Sequence, residues 1–157
     1  MYEKGVPMTE ETKVNMSVVF MLALCIWREA RNQRRDAKLA VACVIRNRAN
    51  HPKIKWWGNG YFEVITAPWQ FTSFNKPTPK NIDPNVHLFP SPKDHVSWVS
   101  WLECLAVAQE VYEMTVKDVT EGADHYFDKS LDNRPPTWAK SYRFIKDIGN
   151  FHFYKSV

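Results

Sequence analysis

Cys25-Ile26-Trp27-Arg28-Glu29-Ala30-Arg31, followed by Asp36-Ala37-Lys38-Leu39-Ala40-Val41-Ala42-Cys43-Val44-Ile45-Arg46-Asn47-Arg48-Ala49-Asn50, reads as the end of one helix, a polar connection and a second helix. Helical steps back from Glu29 meet Ile26, Cys25, Leu22 and Val18, an apolar stripe that ends in a carboxylate. Val18–Trp27 is apolar on nearly every face, which predicts a helix buried all round. A carboxylate in such surroundings is costly when ionised, so its pKa rises; a carboxyl group still protonated near neutral pH is what a general acid requires. The pattern by itself slightly favours a plainer Glu29, one that faces water at the helix end or pairs with Arg31 or Arg48.

Trp27–Arg31 followed by Ala40–Arg48 resembles the core motif of the spore-cortex-lytic, SleB/CwlJ-type cell-wall hydrolases, which show a Glu-Ala-Arg triplet and then an apolar helix ending in Asn-Arg. Four later blocks match in that family's order. They are Ile65-Thr66-Ala67-Pro68-Trp69-Gln70-Phe71-Thr72-Ser73, Gly122-Ala123-Asp124-His125-Tyr126-Phe127, Pro135-Pro136-Thr137-Trp138-Ala139 and Ile148-Gly149-Asn150-Phe151-His152-Phe153-Tyr154. One block alone is weak evidence, whereas five in order are strong. The resemblance covers roughly residues 18–155. It implies an α+β fold, mainly helical and lysozyme-like, with a small antiparallel sheet in the C-terminal part.

Composition agrees with a globular enzyme. At 157 residues the chain is expected to form a single catalytic domain, with residues 1–13 as a loose lead-in. Seven Trp, six Tyr and nine Phe are a high aromatic content, part of it core, that also suits a groove in which flat rings stack on sugars. A net charge of +4 suits a polyanionic partner, and wall polymers and nucleic acid both qualify. Cys25, Cys43 and Cys104 lie inside apolar helical patterns without metal or redox spacing, so buried reduced thiols are expected. They point to synthesis in a reducing compartment. Met1–Lys13 carries Glu3, Glu10 and Glu11 and has no apolar centre, so cytoplasmic synthesis without a signal peptide is expected. The apolar run at residues 18–27 is too short to span a membrane.

Along the chain, Thr12, Asn15 or Ser17 is expected to cap the first helix, and Asp36 the second, whose inward face is Ala37, Ala40, Val41, Cys43 and Val44. Trp56 and Trp57 cannot face the same way; one is core and the other edges the groove. Tyr61–Thr66 reads as a short helix stopped before Pro68. Residues 74–97 are rich in Pro, Asn, Asp and Ser and read as a long loop, the usual material of lids and binding walls. Helical spacing returns from Ser97 to Thr115. His125–Phe127, Arg143–Ile145 and Phe151–Tyr154 are strand candidates, with Gly149-Asn150 as a hairpin turn between the last two.

The resemblance implies that Glu29 is the catalytic acid for a glycosidic bond. A lytic transglycosylase uses a single carboxylate while the 6-hydroxyl of N-acetylmuramic acid attacks; a muramidase wants a second carboxylate, for which Asp36, Glu63, Asp83, Asp124 and Asp128 are candidates. Gln70, Thr72 and Ser73 match a polar block that either hydrogen-bonds the sugar or serves the turn. Tyr126 is the better candidate to line the groove, with His125 beside it; Trp138 either stacks on a sugar or pins a loop. Asn47 and Arg48 match the helix-ending pair and are read as supports for the loops around Glu29. The chain departs from the family pattern at Asp124, where a hydroxyl or amide residue is usual, and at the inserted Thr137. His125 and His152 lack a third ligand at metal spacing, so no metal and no cofactor are expected.

The expected partners are peptidoglycan glycan strands, met by a monomer, with no nucleic acid and no stable membrane insertion. The short chain resembles a phage endolysin more than a spore enzyme, which implies dependence on a holin for access to the wall. Two readings of other classes compete: a silent wall-binding module, which has no need of an acid at the end of an apolar stripe, and a basic nucleic-acid-binding protein, disfavoured because the aromatics fall at helical core spacing.

Overall fold

The computed structural model describes residues 5, 7–80 and 82–157, so part of the expected lead-in lies outside the described residues. Four helices, α1 (Glu10–Ala30), α2 (Arg35–Ala49), α3 (Tyr61–Thr66) and α4 (His95–Tyr112), precede a three-stranded antiparallel sheet of β1 (His125–Asp128), β2 (Arg143–Ile148) and β3 (Phe151–Lys155). This is the α+β architecture that the sequence implies, with the sheet in the C-terminal part. The strand order is β1-β3-β2.

α1 starts earlier than Thr12, Asn15 or Ser17 would have it. The cap is Thr9, whose side chain accepts from the Thr12 N–H, and Glu10 and Glu11 favour the positive end of the helix. Only its second half is sealed: Leu22, Ala23, Cys25, Ile26 and Trp27 are buried, whereas Val14, Met16 and Phe20 are exposed. The expectation of all-round burial over Val18–Trp27 fails at Phe20, which is exposed and meets Trp101 edge to face at 5.0 Å, and at Val18, Val19, Met21 and Leu24, which are only partly buried.

α2 is the buried axis. Every residue from Ala37 to Arg46 is buried, well beyond the inward face expected from the pattern. Asp36 does not cap it; it lies inside the first turn, accepting from the Ala37 N–H, while Arg34 holds the cap position. Burial of Lys38 is tolerated because its ammonium meets Glu103 at 2.8 Å. α3 has the expected bounds. Cys25, Cys43 and Cys104 are free and buried.

The long loop before α4 is pinned to the end of α1. Arg28 donates to the main-chain carbonyls of Ser73, Val86 and Leu88 and lies over the rings of Phe74 and Phe89. Arg31 reaches Asn85 Oδ1 at 3.0 Å. In the sheet, Tyr126 pairs with Phe153 and Asp128 with Phe151. The hairpin between β2 and β3 turns at Gly149, whose φ of +56° suits glycine and whose missing Cβ would fall 2.8 Å from that of Ala37. The Asn150 N–H donates to Gln33 Oε1, which docks the hairpin on the connection between α1 and α2. No helix among the described residues is long and apolar enough to cross a membrane.

Candidate active site

Glu29 sits in the last turn of α1 and opens onto a cavity of about 440 Å³. α1 supplies the acid, α2 supplies Arg48, the stretch after α3 supplies Trp69, Gln70 and Phe71, and β1 supplies His125, Tyr126, Phe127 and Asp128. Trp56 and Trp138 complete two of its walls.

The Tyr126 hydroxyl donates to Glu29 Oε2 at 2.8 Å. Burial raises the Glu29 carboxyl from an ordinary 4.5 to about 7; the Tyr126 hydrogen bond and the Arg48 charge pull it down, while the charge of Asp83 adds to the rise. Burial and the neighbouring Glu29 also push the Tyr126 phenol well above its usual range, so it stays a donor. Glu29 thus neither faces open water nor forms an ion pair with Arg31 or Arg48. Near neutrality its two protonation states are balanced, as a group that must both give and take a proton requires.

The end of α2 builds the floor. Arg48 is buried; it donates from Nε to the Asp124 carbonyl at 2.6 Å and from Nη1 to Gln70 Oε1 at 3.1 Å. Asn47 points the other way, donating to the Ala123 carbonyl at 2.8 Å and to Asp118 Oδ2 at 2.9 Å. Asp118 in turn accepts from the N–H groups of Thr120 and Gly122. This network fixes the segment that enters β1, and hence the height at which Tyr126 meets Glu29.

Asp124 is explained by the far end of the sheet. Burial works against its charge, but hydrogen bonds from His125 and Ser156 hold its carboxyl below the usual range. Its Oδ1 accepts from Ser156 N–H at 2.8 Å and its Oδ2 from the Ser156 hydroxyl at 2.5 Å, closing β3 onto the start of β1. It is structural, with no line to the cavity.

The cavity gathers Glu29, Arg48, Gln70, His125, Tyr126 and Trp138 among the residues singled out from the sequence. It does not gather Thr72, Ser73 or Asn47. Thr72 opens the short helical turn Thr72–Phe74 and donates to Asp83 Oδ2 at 2.5 Å, in a neighbouring depression. Ser73 is buried with its carbonyl on Arg28 and its hydroxyl without a partner among the described residues. Its place in the turn leaves the hydroxyl facing inwards. Of the adjacent tryptophans, Trp57 is fully buried and Trp56 is 61% exposed at the cavity rim. Trp138 is half-buried and packs on His125 and Tyr142 at 4.9 and 5.6 Å between ring centres, so it pins the loop and lines the cavity together.

Trp69, Phe127, Leu131, Pro136 and Phe151 also line the cavity without having been singled out as sites from the sequence. Trp69 is 64% exposed and follows Pro68 with no periodic signal to mark it. Asp128 was legible only as one of several acids; the strand register puts it beside Phe151 at the cavity edge. Among the described residues no group of three or more His, Cys, Asp or Glu is placed to hold a metal ion.

A carboxyl group of near-neutral pKa in an aromatic-walled cavity, between packed helices and a small sheet, is an arrangement suited to acid–base chemistry. The chain belongs to the Cell Wall Hydrolase family, whose model matches residues 32–154 and so begins just after Glu29. The fold is similar to the crystal structure of the catalytic domain of the Bacillus cereus SleB protein. The TM-score there is 0.65 at 23% identity, over 89% of this chain and 91% of that one. It is also similar to the catalytic domain of the germination-specific lytic transglycosylase SleB from Bacillus anthracis. That match has a TM-score of 0.64 at 24% identity, over 96% of this chain and 100% of the other. No curated protein matches the chain significantly.

Proposed function

We propose that this enzyme cleaves the glycosidic bond between N-acetylmuramic acid and N-acetylglucosamine in peptidoglycan, as a lytic transglycosylase with Glu29 as its acid and base. The observation that carries this reading is Glu29 itself, held by the Tyr126 hydroxyl with a pKa of about 7 inside the cavity. Protonated Glu29 delivers its proton to the leaving oxygen as positive charge develops at the anomeric carbon. The resulting carboxylate is stabilised by the Tyr126 hydrogen bond and by the buried Arg48 cation, and it then takes the proton of the muramic 6-hydroxyl as that oxygen closes on the anomeric carbon. The product is a 1,6-anhydro end. The B. anthracis relative, described as a lytic transglycosylase, agrees with this choice.

One observation favours hydrolysis instead. Asp128 lines the same cavity, and although burial opposes its charge, hydrogen bonds from the Ser130 N–H and from Ser130 and Asn150 side chains keep its carboxyl low and ionised. A second, ionised carboxylate in the same cavity as the acid is what a muramidase uses.

Digestion of purified peptidoglycan by wild type and Glu29→Gln, with mass spectrometry of the fragments, tests both. Anhydro ends that vanish in the variant support transglycosylation; reducing N-acetylmuramic acid ends mean hydrolysis; reducing N-acetylglucosamine ends, or equal activity in the variant, defeat the proposal.

We extend the reading to a monomeric endolysin that acts on glycan strands, with no nucleic acid and no stable membrane insertion. The buried free thiols suit folding in a reducing cytoplasm. Expression in a bacterial cytoplasm should lyse the culture only when a pore-forming holin is co-expressed.

A further inference from the structure

Trp69 combines three features that fold stability does not require. Its backbone is left-handed, with φ of 64°, a region where residues with side chains are strained. Its indole is 64% exposed. It also lines two cavities at once: that of Glu29, and a neighbouring one of about 280 Å³ formed with Thr72, Asn75, Lys80, Ile82 and Asp83.

The strained turn is actively held. The Trp69 N–H donates to Asn75 Oδ1 at 3.1 Å, and the next residue, Gln70, is tied through its side chain to Arg48. Glycine would adopt this conformation without strain. A tryptophan kept there, with its ring turned to solvent between two cavities, has a use outside the core.

The floor of the second cavity is polar and ordered. Asp83 accepts from the Thr72 hydroxyl through Oδ2 and from the Asn85 N–H through Oδ1, at 2.5 and 2.7 Å. Fixed acceptors in the same cavity as an exposed indole suit a pyranose ring. Its C–H face is apolar enough to stack, and its hydroxyl and acetamido groups seek hydrogen bonds.

We propose that Trp69 is a stacking platform that carries the glycan strand from the Glu29 cavity into the neighbouring one, so that the enzyme grips at least one N-acetylated sugar beyond the pair at the cleaved bond. This rests on the glycan-cleaving reading above and adds a length preference to it. Long strands bind better than short fragments, and Trp69 sets the difference.

The test is calorimetric binding of chito-oligosaccharides, from two to six sugars, to Glu29→Gln, alone and combined with Trp69→Gly or Trp69→Phe. Affinity should climb about tenfold from the dimer to the hexamer, the weight of one stacked aromatic contact. Trp69→Gly should flatten that climb, and Trp69→Phe should keep most of it. The melting temperature of Trp69→Gly should be unchanged or higher, because its backbone strain is relieved; this separates lost binding from lost folding. A climb that survives in Trp69→Gly, or no climb in Glu29→Gln itself, overturns the platform. Product release from peptidoglycan by the wild type judges the cleavage reading separately. Cleavage with a flat length dependence removes the platform alone, and a Trp69-dependent climb without cleavage upholds the platform while removing the reaction.

Discussion

Glu29→Gln should make the protein more stable at alkaline pH and leave it unchanged in acid. Gln keeps the shape of Glu29 and still accepts from the Tyr126 hydroxyl, so the substitution removes little besides the charge. Burial lifts the carboxyl from an ordinary 4.5 to about 7. At 1.36 kcal/mol for each pH unit between the two values, the ionised form costs the folded state about 3 kcal/mol. The carboxyl opens onto a cavity that water enters, and that screening reduces the expected cost to about 2 kcal/mol. The folded state holds this proton more tightly than the unfolded chain does, so the stabilising effect is complete below about pH 4.5. It is lost as pH rises through about 7. Urea unfolding of both proteins at pH 4, 5.5 and 8 measures it. The two should coincide at pH 4, and the variant should lead by about 2 kcal/mol at pH 8. A gap independent of pH, or a variant less stable at pH 8, would refute the buried, raised acid.

Tyr126→Phe removes a hydrogen bond that favours the carboxylate, so the Glu29 pKa should rise further; the alkaline limb of the pH–rate profile should move up by about one unit, and kcat should fall because the carboxylate left after proton delivery loses its hydrogen bond. An unmoved limb counts against the contact. Arg28→Ala leaves the carbonyls of Ser73, Val86 and Leu88 without their shared donor and should cost about 3 kcal/mol in denaturant unfolding, with faster proteolytic nicking between residues 76 and 93. Asn47→Ala frees the Ala123 carbonyl and Asp118, and should cost about 2 kcal/mol and lower kcat more than it raises KM, because Tyr126 loses its fixed height.

The helices were legible because burial leaves a period. The stripe Val18–Leu22–Cys25–Ile26–Glu29, the apolar run of α2 and the turn at Gly149-Asn150 each carry a local signal, and each lies where that signal put it. What failed was also local: caps depend on one side-chain angle, so Thr9 took the place of Thr12 and Asp36 slipped inside its helix. The site was legible only in part. Spacing brings Glu29 to the end of a buried stripe, but nothing local says that β1 will cross it with Tyr126. That contact spans 97 positions and depends on Asn47 and Arg48 holding the segment before the strand. Thr72 and Ser73 part company in the fold, the first bonding Asp83 beside the neighbouring cavity and the second turning inwards, because a polar block after a turn reads alike whichever way its hydroxyls face. Trp69 gave no signal, since backbone strain is a property of the folded chain.

The choice between the two glycan reactions turns on Asp128, and Asp128→Asn decides it. The carboxylate accepts through Oδ1 from the Ser130 N–H and from the Asn150 side-chain amide, both at 2.8 Å, and an asparagine oxygen can accept the same two bonds. The fold around the cavity should therefore survive the exchange, and only a negative charge is lost. In a transglycosylase that charge is not a reactant, because the substrate's own hydroxyl attacks and Glu29 handles both protons. Activity should then stay within about threefold of wild type, less than 1 kcal/mol in the barrier, with anhydro ends unchanged. In a muramidase the same carboxylate must activate water or trap the anomeric carbon, and its removal should cost at least about a hundredfold, the scale of one general base. Asp83 is a weaker candidate for that part. It is already bonded to Thr72 and Asn85, and it influences Glu29 only through its field. A hundredfold loss in Asp128→Asn with an unchanged melting temperature would overturn the single-acid mechanism and assign Asp128 as the second carboxylate.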